Sequence, residues 1–485
     1  MENIVKFIGN AKKKSNFRNK ELINIIQTFC RKKEFVRIIN DISNTLEISS
    51  SSLLHDSKIF LHKNYSPKNM QFNKKISLKY LPISSCKFIL FFIYIYVFSN
   101  KKKKQKKGAG LIVDQIYDNL EAKRFYGLKK YFKNIIFITY NKLDGNFNKH
   151  YFLNYKNLNR SILFHKIPIL IKKIFFKSII FSIKNKINIF DLILFLISQT
   201  FKYNNIFSNL NARYLIQERH YGTSAVKSFI FKKYGGKLVA VIQKNIAQLT
   251  GPGTFCYADI FFSLGNKTHK RAILSGGKFK KIIPVGSMFM ESIYLNMIKK
   301  YKLKYDLLNV ISNAPNVSDG YVNYYKNWIT HLEWLKKLSQ ENKNLKIIIK
   351  RRPFDNLDKN NFLEKFFKGS NVKIIIGTNK LNRHHSYEHS MHSKVVCTWS
   401  STMGYELIGH NKPCIFMDPN GQNLSFIPSD KLHKSIKALN YSQFKKMFYS
   451  IYKNKNKFFK NINKNNFCLK SKYVSKRIYE GFLKK

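Results

Sequence analysis

The chain has 485 residues, 44% of them hydrophobic and 15% aromatic, which excludes a wholly disordered protein and allows two or three domains with full cores. Its 88 Lys and Arg against 26 Asp and Glu give a formal net charge of +62, which argues for a polyanionic partner, either nucleic acid or an anionic membrane surface. Lysine is spread along the whole length, and Lys, Asn, Ile and Phe are abundant together, as the codon bias of an AT-rich genome also produces, so charge alone does not name the partner. The six cysteines form no C-x-x-C pair and read as buried thiols of a reducing compartment. Met1 to Lys20 is polar and basic without the apolar core of a signal peptide, so a cytoplasmic location is expected.

In chain order, residues 1–107 read as a basic, helical N-terminal extension. Glu21 to Ile42 carries apolar residues at helical spacing. The longest apolar run, Phe88 to Phe98, has 11 residues and is followed by Lys101 to Lys104. A bilayer span needs about 20 residues, so this run reads as a core helix or an interfacial segment with a basic anchor. From Gly108 the texture becomes alternating strand and helix: GLIVDQIY as a strand from Leu111, EAKRFYGLKKYF as a helix, and NIIFITYN as a second strand. Leu163 to Ile197 fits helices with one basic and one greasy edge, which a buried helix pair explains as well as a membrane-surface face does. RYLIQERHYG, KLVAVIQKN, ADIFFSLG and KKIIPVGS then read as strands, with TSAVKSFIFKKYGG as an intervening helix.

A second run of the same kind begins near Asp306. NLKIIIKRRP, NVKIIIG, SKVVCTWSS and KPCIFMDP are continuous apolar strands of the type buried on both faces of a parallel sheet. The fold class expected is therefore α/β. Two tandem Rossmann-like domains, 108–286 and 287–441, follow the helical extension, and a basic helical tail, 442–485, packs back on the first domain.

The strongest constellation is KVVCTWSSTMGYELIGHNKPCIFMDP, from Lys394 to Pro419. A buried strand runs into Ser400, Ser401 and Thr402, and a helix starts near Met403. Small hydroxyl residues there cap the helix and offer backbone N–H groups at its positive end, where a diphosphate sits well; an ordinary N-cap has the same residues. Two other groups stand at strand ends. KRRP (Lys350 to Pro353) places Lys350 and Arg352 where they can neutralise a phosphate, or at a solvated strand end. RYLIQERHYG presents Glu218 and His220, with Asp259 on the next strand, as candidate bases; ion pairing of Glu218 with Arg213 or Arg219 and capping by Asp259 are the plain alternatives. HSYEH (His385 to His389) spells an inverted zinc-protease motif, but a phosphate-type strand-turn-helix follows it, so no metal site is expected.

The segment around Ser401 resembles the C-terminal domain of bacterial surface-carbohydrate glycosyltransferases of the GT-B fold, a group that includes capsule and teichoic-acid transferases. Their signature is a strand, a Ser-Thr turn, Gly-Tyr-Glu, a short helix, Gly-x-Lys-Pro and another strand. Ser401, Thr402, Gly404, Tyr405, Glu406, Lys412 and Pro413 occupy those positions here. The resemblance implies that Glu406 holds the donor ribose hydroxyls, that Ser400, Ser401 and Thr402 bind its diphosphate, and that Lys350 and Arg352 offset the leaving-group charge. SYE at Ser386 to Glu388 matches the helix that precedes the family's phosphate strand, and DPNGQN (Asp418 to Asn423) closes over the nucleotide or is a plain turn. The chain departs from the pattern at Thr398, where the family has a second glutamate, at Gly409-His410-Asn411, where the glycine after the helix is displaced, and at Arg352, where related enzymes have histidine.

The function expected is sugar transfer from a nucleotide sugar to a surface polysaccharide or a glycolipid, without metal or other cofactor. The partners expected are the donor, a glycan or lipid-linked acceptor, and an anionic membrane surface at the inner face of the cell membrane. Specific nucleic-acid binding is not expected, since no RRM, KH or zinc-finger signature is present. Polyol-phosphate transfer of the teichoic-acid type is the enzymatic alternative, and a basic nucleic-acid-binding protein is the alternative from another class.

Overall fold

The computed structural model describes residues 20–66, 71–72, 76–98, 107–116, 119–139, 166–246, 253–297, 302–310, 324–351, 362–376, 385–399, 401–421 and 433–484. Two six-stranded sheets, parallel throughout, carry the fold. The first contains β1 (Lys107–Ile116), β2 (Ile135–Thr139), β3 (Leu210–Gln217), β4 (Leu238–Ile242), β5 (Tyr257–Ser263) and β6 (Lys278–Pro284), in the order β2-β1-β3-β4-β5-β6. The second contains β7 (Tyr305–Val310), β8 (Ile347–Arg351), β9 (Val372–Ile376), β10 (Ser393–Thr398), β11 (Cys414–Met417) and β12 (Lys437–Ala438), in the order β9-β8-β7-β10-β11-β12. Counted within its own domain, the second sheet reads 3-2-1-4-5-6, the Rossmann order. Both orders reverse direction once, between β1 and β3 and between β7 and β10. In open sheets of this kind, ligands bind beyond the strand ends at those switch points.

The expected two-domain α/β architecture is thus present. The apolar strands are buried on both faces because each sheet is covered on both sides. In the first sheet, Ile112, Leu215 and Val239 face one cluster, while Leu111, Val113 and Ile216 face the other. In the second, Leu307, Ile349 and Val395 face one cluster, and Leu308, Ile348 and Val396 the other.

The N-terminal helices are part of the first domain's core. A helix over residues 20–29, α1 (Lys33–Leu46), α2 (Ser50–Lys63) and α3 (Leu81–Phe98) share one buried cluster with the first sheet. α4 (Asn119–Arg124) follows β1, and α5 (Ile167–Asn185), α6 (Phe190–Ser208) and α7 (Ala225–Lys233) complete the domain. Asp56 on α2 is buried and accepts hydrogen bonds from Ser224 Oγ and from the backbone N–H groups of Ala225 (2.7 Å) and Val226 (3.3 Å), so it fills the positive end of α7 from within the chain. Below it, Lys227 and Asp114 form a fully enclosed ion pair at 2.5 Å.

After β6 the chain crosses at Gly286, whose φ of 99° belongs to the left-handed region, into α8 (Met288–Met297). α9 (Tyr324–Glu341), α10 (His385–Met391), α11 (Thr402–Gly409) and α12 (Tyr441–Lys453) flank the second sheet. α13 (Val474–Leu483) returns to the first domain and buries Val474, Ile478 and Phe482 against Phe132, Tyr214 and Phe262. Between α12 and α13, residues 463–471 run as a strap across the junction. Asn266 N donates to Asn465 O at 2.8 Å, and Leu469 N donates to Leu264 O at 2.9 Å.

Three elements differ from the sequence reading. β7, the central strand of the second sheet, was not singled out, although the second run was expected to begin near Asp306, which lies within it. The helix expected over 121–132 is instead α4 followed by a 3-10 turn, Tyr126–Lys130. The break serves a close approach: a Cβ at Gly127 would lie 2.4 Å from Ser475 Oγ on α13. Third, the tail 442–485, expected to pack back on the first domain, does so only from α13: α12 buries Phe444, Phe448 and Ile451 in the second domain's cluster.

Candidate active site

α11 begins where β10 ends, at the second sheet's switch point. Its N-cap is Ser401, in extended conformation, with Oγ accepting from Met403 N at 3.3 Å. Ser400 lies outside the described residues. Thr402 Oγ1 accepts from Ile246 N, in the other domain, at 3.1 Å. Gly404 brings the helix down onto the sheet, since a Cβ there would stand 2.6 Å from Phe416 Cζ and 3.0 Å from Cys414 Sγ. Tyr405 is buried, with its hydroxyl 2.8 Å from His433 Nε2.

Glu406 is 4% exposed, and both its carboxylate oxygens are engaged: Ser287 Oγ donates to Oε1 and the Tyr387 hydroxyl to Oε2. Burial pushes its carboxyl above the usual range, opposed by those two hydrogen bonds and by the nearby charge of Arg124. Glu406 therefore ties α11 to the domain crossover and to α10, a task the resemblance does not imply. A ribose hydroxyl reaching this carboxylate has to displace Ser287 or Tyr387. Lys412, the basic residue of the Gly-x-Lys-Pro signature, has a structural task as well: Nζ donates to the carbonyls of Met391 (3.2 Å) and Ser393, closing α10 onto β10. His410, at the displaced position, accepts from Ser471 N at 3.0 Å and so fastens the strap.

Lys350 is the penultimate residue of β8, at the same C-terminal end of the parallel strands as the α11 turn. It is buried, and burial holds its ammonium below its ordinary value, with Glu388 on α10 opposing the shift. Arg352 lies outside the described residues. Asp418, of the DPNGQN turn, is buried 3.8 Å from Lys437 Nζ, and a 3-10 turn, Pro419–Gly421, follows it.

Glu218 and His220 follow β3 at the first sheet's switch point, so both candidate acceptor-side residues stand where that sheet opens. Glu218 N donates to Asp114 O at 3.2 Å. Its side chain is 4% exposed and meets three cations: Arg219 at 2.8 Å, Lys244 at 2.9 Å and Arg124 at 3.5 Å. The Arg219 pairing was foreseen as the plain alternative; Arg213 is not the partner, and Arg124 and Lys244 were not foreseen. His220 is buried beside Gly253, whose Cβ would stand 2.4 Å from the ring. Burial, with Lys244 in second place, pulls its imidazole down to about 4, so it is neutral at pH 7. Asp259 pairs with Lys232 at 2.6 Å and accepts from Val239 N at 3.0 Å, away from this group.

The two domains meet through a short segment after β4. Lys244 holds Glu218, and Ile246, two residues on, holds Thr402. Arg124 adds a second link: it stacks over Phe289 at 4.4 Å, touches Glu218 and acts electrostatically on Glu406 and Tyr387. Arg124, Lys244, Ser287 and Tyr387 were not assigned roles from the sequence. Only Tyr387 had a local signal, in the SYE run; the others are far from the motif in sequence and near it only once the sheets pack.

The architecture defines a class: two doubly wound domains whose switch points face each other across a junction. No family model matches the chain, and no curated protein does. Among solved structures, the wall teichoic acid polymerase TagF overlaps 84% of this chain and 97% of its own length at 10% identity, with a TM-score of 0.44. A Phytolacca americana UGT2 complexed with UDP-2fluoro-glucose and pterostilbene overlaps 78% of this chain and 95% of its own at 9% identity and a TM-score of 0.36. The E. coli heptosyltransferase WaaC with ADP overlaps 70% of this chain and 99% of its own at 8% identity and a TM-score of 0.33. None of these likenesses bears on activity; the fold of this chain is defined by its own strand order.

Proposed function

We propose that this chain is a GT-B glycosyltransferase that moves a sugar from a nucleotide-sugar donor to a surface polysaccharide or glycolipid acceptor, working at the inner face of the cell membrane. The observation that carries the reading is the placement of the Ser401–Thr402 turn. It opens an eight-residue helix, α11, at the Rossmann switch point, facing the first domain's own switch point at Glu218 and His220. The donor diphosphate lies against Ser400, Ser401 and Thr402, with Lys350 and Arg352 neutralising the charge that develops on the departing nucleotide. The acceptor hydroxyl approaches from the first domain. His220, uncharged at neutral pH, and Glu218 are the groups there able to take its proton.

A second reading is favoured by one observation: three cations surround the single carboxylate of Glu218, leaving an excess of positive charge on the acceptor side. That balance suits a phosphate-bearing acceptor or a polyol-phosphate group, as in teichoic-acid-type transfer. Titration calorimetry with UDP, CMP, GDP and CDP tests both readings. One nucleotide is expected to bind, and Thr402→Ala is expected to weaken it roughly tenfold or more, as loss of a hydrogen bond to a charged group does, with a loss of stability of about 1 kcal/mol from the hydrogen bond to Ile246 N that it also removes. CDP as the sole ligand favours polyol-phosphate transfer. Absence of nucleotide binding, or unchanged affinity in Thr402→Ala, removes the proposal. Tight binding of a 20-mer oligonucleotide that persists in high salt favours a nucleic-acid partner instead, because nonspecific polyanion binding collapses under those conditions.

A further inference from the structure

The sequence leaves open whether the greasy edges of α3 and α5 are buried or face a membrane, and the structure distinguishes the two faces of each helix. Their inner faces meet through Phe88, Phe175 and Phe190, with ring centroids 5.4 Å apart for Phe88–Phe190 and 5.5 Å for Phe175–Phe190. The sides turned away from that cluster remain apolar. On α5, Ile169, Phe176, Ile180 and Ile183 are 49%, 70%, 65% and 57% exposed. Their spacing of seven, four and three residues sets them in one line along the helix. On α3, Ile83, Leu90 and Ile93 are likewise exposed. Neither helix contains an acidic residue, and together they carry Lys87, Lys172, Lys173, Lys177 and Lys184. Lys177 and Lys184 pair with Asp41 and Glu34 of α1, while Lys87, Lys172 and Lys173 are exposed beside the apolar lines. Among the described residues, no helix is long and apolar enough to cross a membrane.

We infer that the α3–α5 face is a docking surface for an anionic lipid bilayer, with Phe176, Ile180, Leu90 and Ile93 entering the headgroup–acyl boundary and Lys87, Lys172 and Lys173 meeting lipid phosphates. Apolar side chains flanked by lysine, on two helices that contain no acidic residue of their own, are the composition of an interfacial surface; the carboxylates of α1 nearest to it, Asp41 and Glu34, are already paired with Lys177 and Lys184. A second copy of this chain is the poorer occupant, because it would set lysine rim against lysine rim. The inference does not rest on the sugar-transfer reading; it places the first domain, with Glu218 and His220, against the surface from which a lipid-linked acceptor would come.

The test is co-sedimentation of the full chain with phosphatidylcholine vesicles, with and without phosphatidylglycerol, beside two double variants: Phe176→Ser with Ile180→Ser, and Lys172→Gln with Lys173→Gln. Wild type is expected to bind the anionic vesicles and to be released by salt. The apolar variant should bind roughly tenfold or more weakly, and each lysine removed should weaken binding about fivefold at low salt. Thermal unfolding should be unchanged, since the substituted side chains are exposed; Leu90→Ser with Ile93→Ser repeats the apolar test on the other helix. Equal binding by the variants, equal binding to uncharged vesicles, retention after alkali, or a vesicle-independent dimer dissolved by Phe176→Ser would each overturn the inference. Nucleotide titration of the same variants is expected to match wild type whatever the vesicles show, so the two proposals fail separately.

Discussion

Asp56 and Glu406 are both acidic, both buried, and both shifted upward by burial, yet they carry different information. Asp56 is raised to about 6. A carboxyl raised in the folded state contributes stability that is full below its unfolded value, about 3.9, and is lost as pH rises through the folded value. Measured against Asp56→Asn, which keeps the shape without titrating, wild type should lose stability between about pH 4 and pH 6 and run parallel to the variant above that; thermal melts across that window check it. A gap that stays constant with pH would mean that the three donors at α7 hold Asp56 charged throughout. Glu406→Gln addresses ligand binding. If donor hydroxyls displace Ser287 or Tyr387 to reach this carboxylate, the substitution should weaken nucleotide binding more than tenfold. If the carboxylate only ties α11 to the domain crossover and to α10, calorimetry should find the affinity unchanged and the loss in folding stability alone.

At the scale of elements, α11 is fixed by two residues with separable tasks. Ser401→Ala removes an N-cap and should lower stability by about 1 kcal/mol. Gly404→Ala forces a methyl group into Phe416 and should lower it by roughly 1–3 kcal/mol through overpacking, read from denaturant midpoints at unchanged m-value. Much of this element was legible in the sequence. A buried strand, a hydroxyl turn and a helix beginning near Met403 follow from local pattern, and the observed strand Ser393–Thr398 and helix Thr402–Gly409 match it. Of the two partners of Glu406, Tyr387 lay in the SYE run, but Ser287 was not legible, because it lies 119 residues away and reaches the carboxylate only through packing of the two domains. β7 was missed for a related reason: its place at the sheet centre is set by neighbours, β8 and β10, that come later in the chain. The glycine in the Gly-Tyr-Glu motif carried a clear signal from the resemblance, and the structure supplies the physical reason, the 2.6 Å approach to Phe416.

At the scale of the whole molecule, the chain crosses the junction twice, and the crossings lie side by side. A Cβ on Gly286 would stand 2.8 Å from Leu469 O, and Ser287 N donates to Ser471 Oγ at 3.4 Å. On the far side of the strap, Gly409 stands so close to Cys468 that a Cβ would lie 2.3 Å from its carbonyl oxygen. Two chain links therefore join the domains at one place, and the Thr402–Ile246 hydrogen bond is a further contact between them. Removing residues 474–483 should uncover Phe132, Tyr214 and Phe262 together; dye binding to exposed apolar surface, and loss of a single cooperative transition in calorimetry, are the expected outcomes. A truncated chain that melts once, at the wild-type temperature, would contradict this account of α13.

The return of α13 also sets an order of events during synthesis. Translation delivers the strands of the first sheet early, but one face of that sheet is closed by Val474, Ile478 and Phe482, which emerge only after the second domain has been made. Until then the nascent first domain presents Tyr214, Phe262 and Phe132 to water, in a chain that bears a formal charge of +62 when complete. Domains that fold as units during elongation hide such surface within seconds of leaving the ribosome; this one has to wait for about 190 further residues, at some 5–20 residues per second, before its lid exists. Holdase chaperones that recognise apolar patches on basic chains are therefore expected to bind ribosome-bound intermediates of this protein that end before α13, and to release them once that helix has docked.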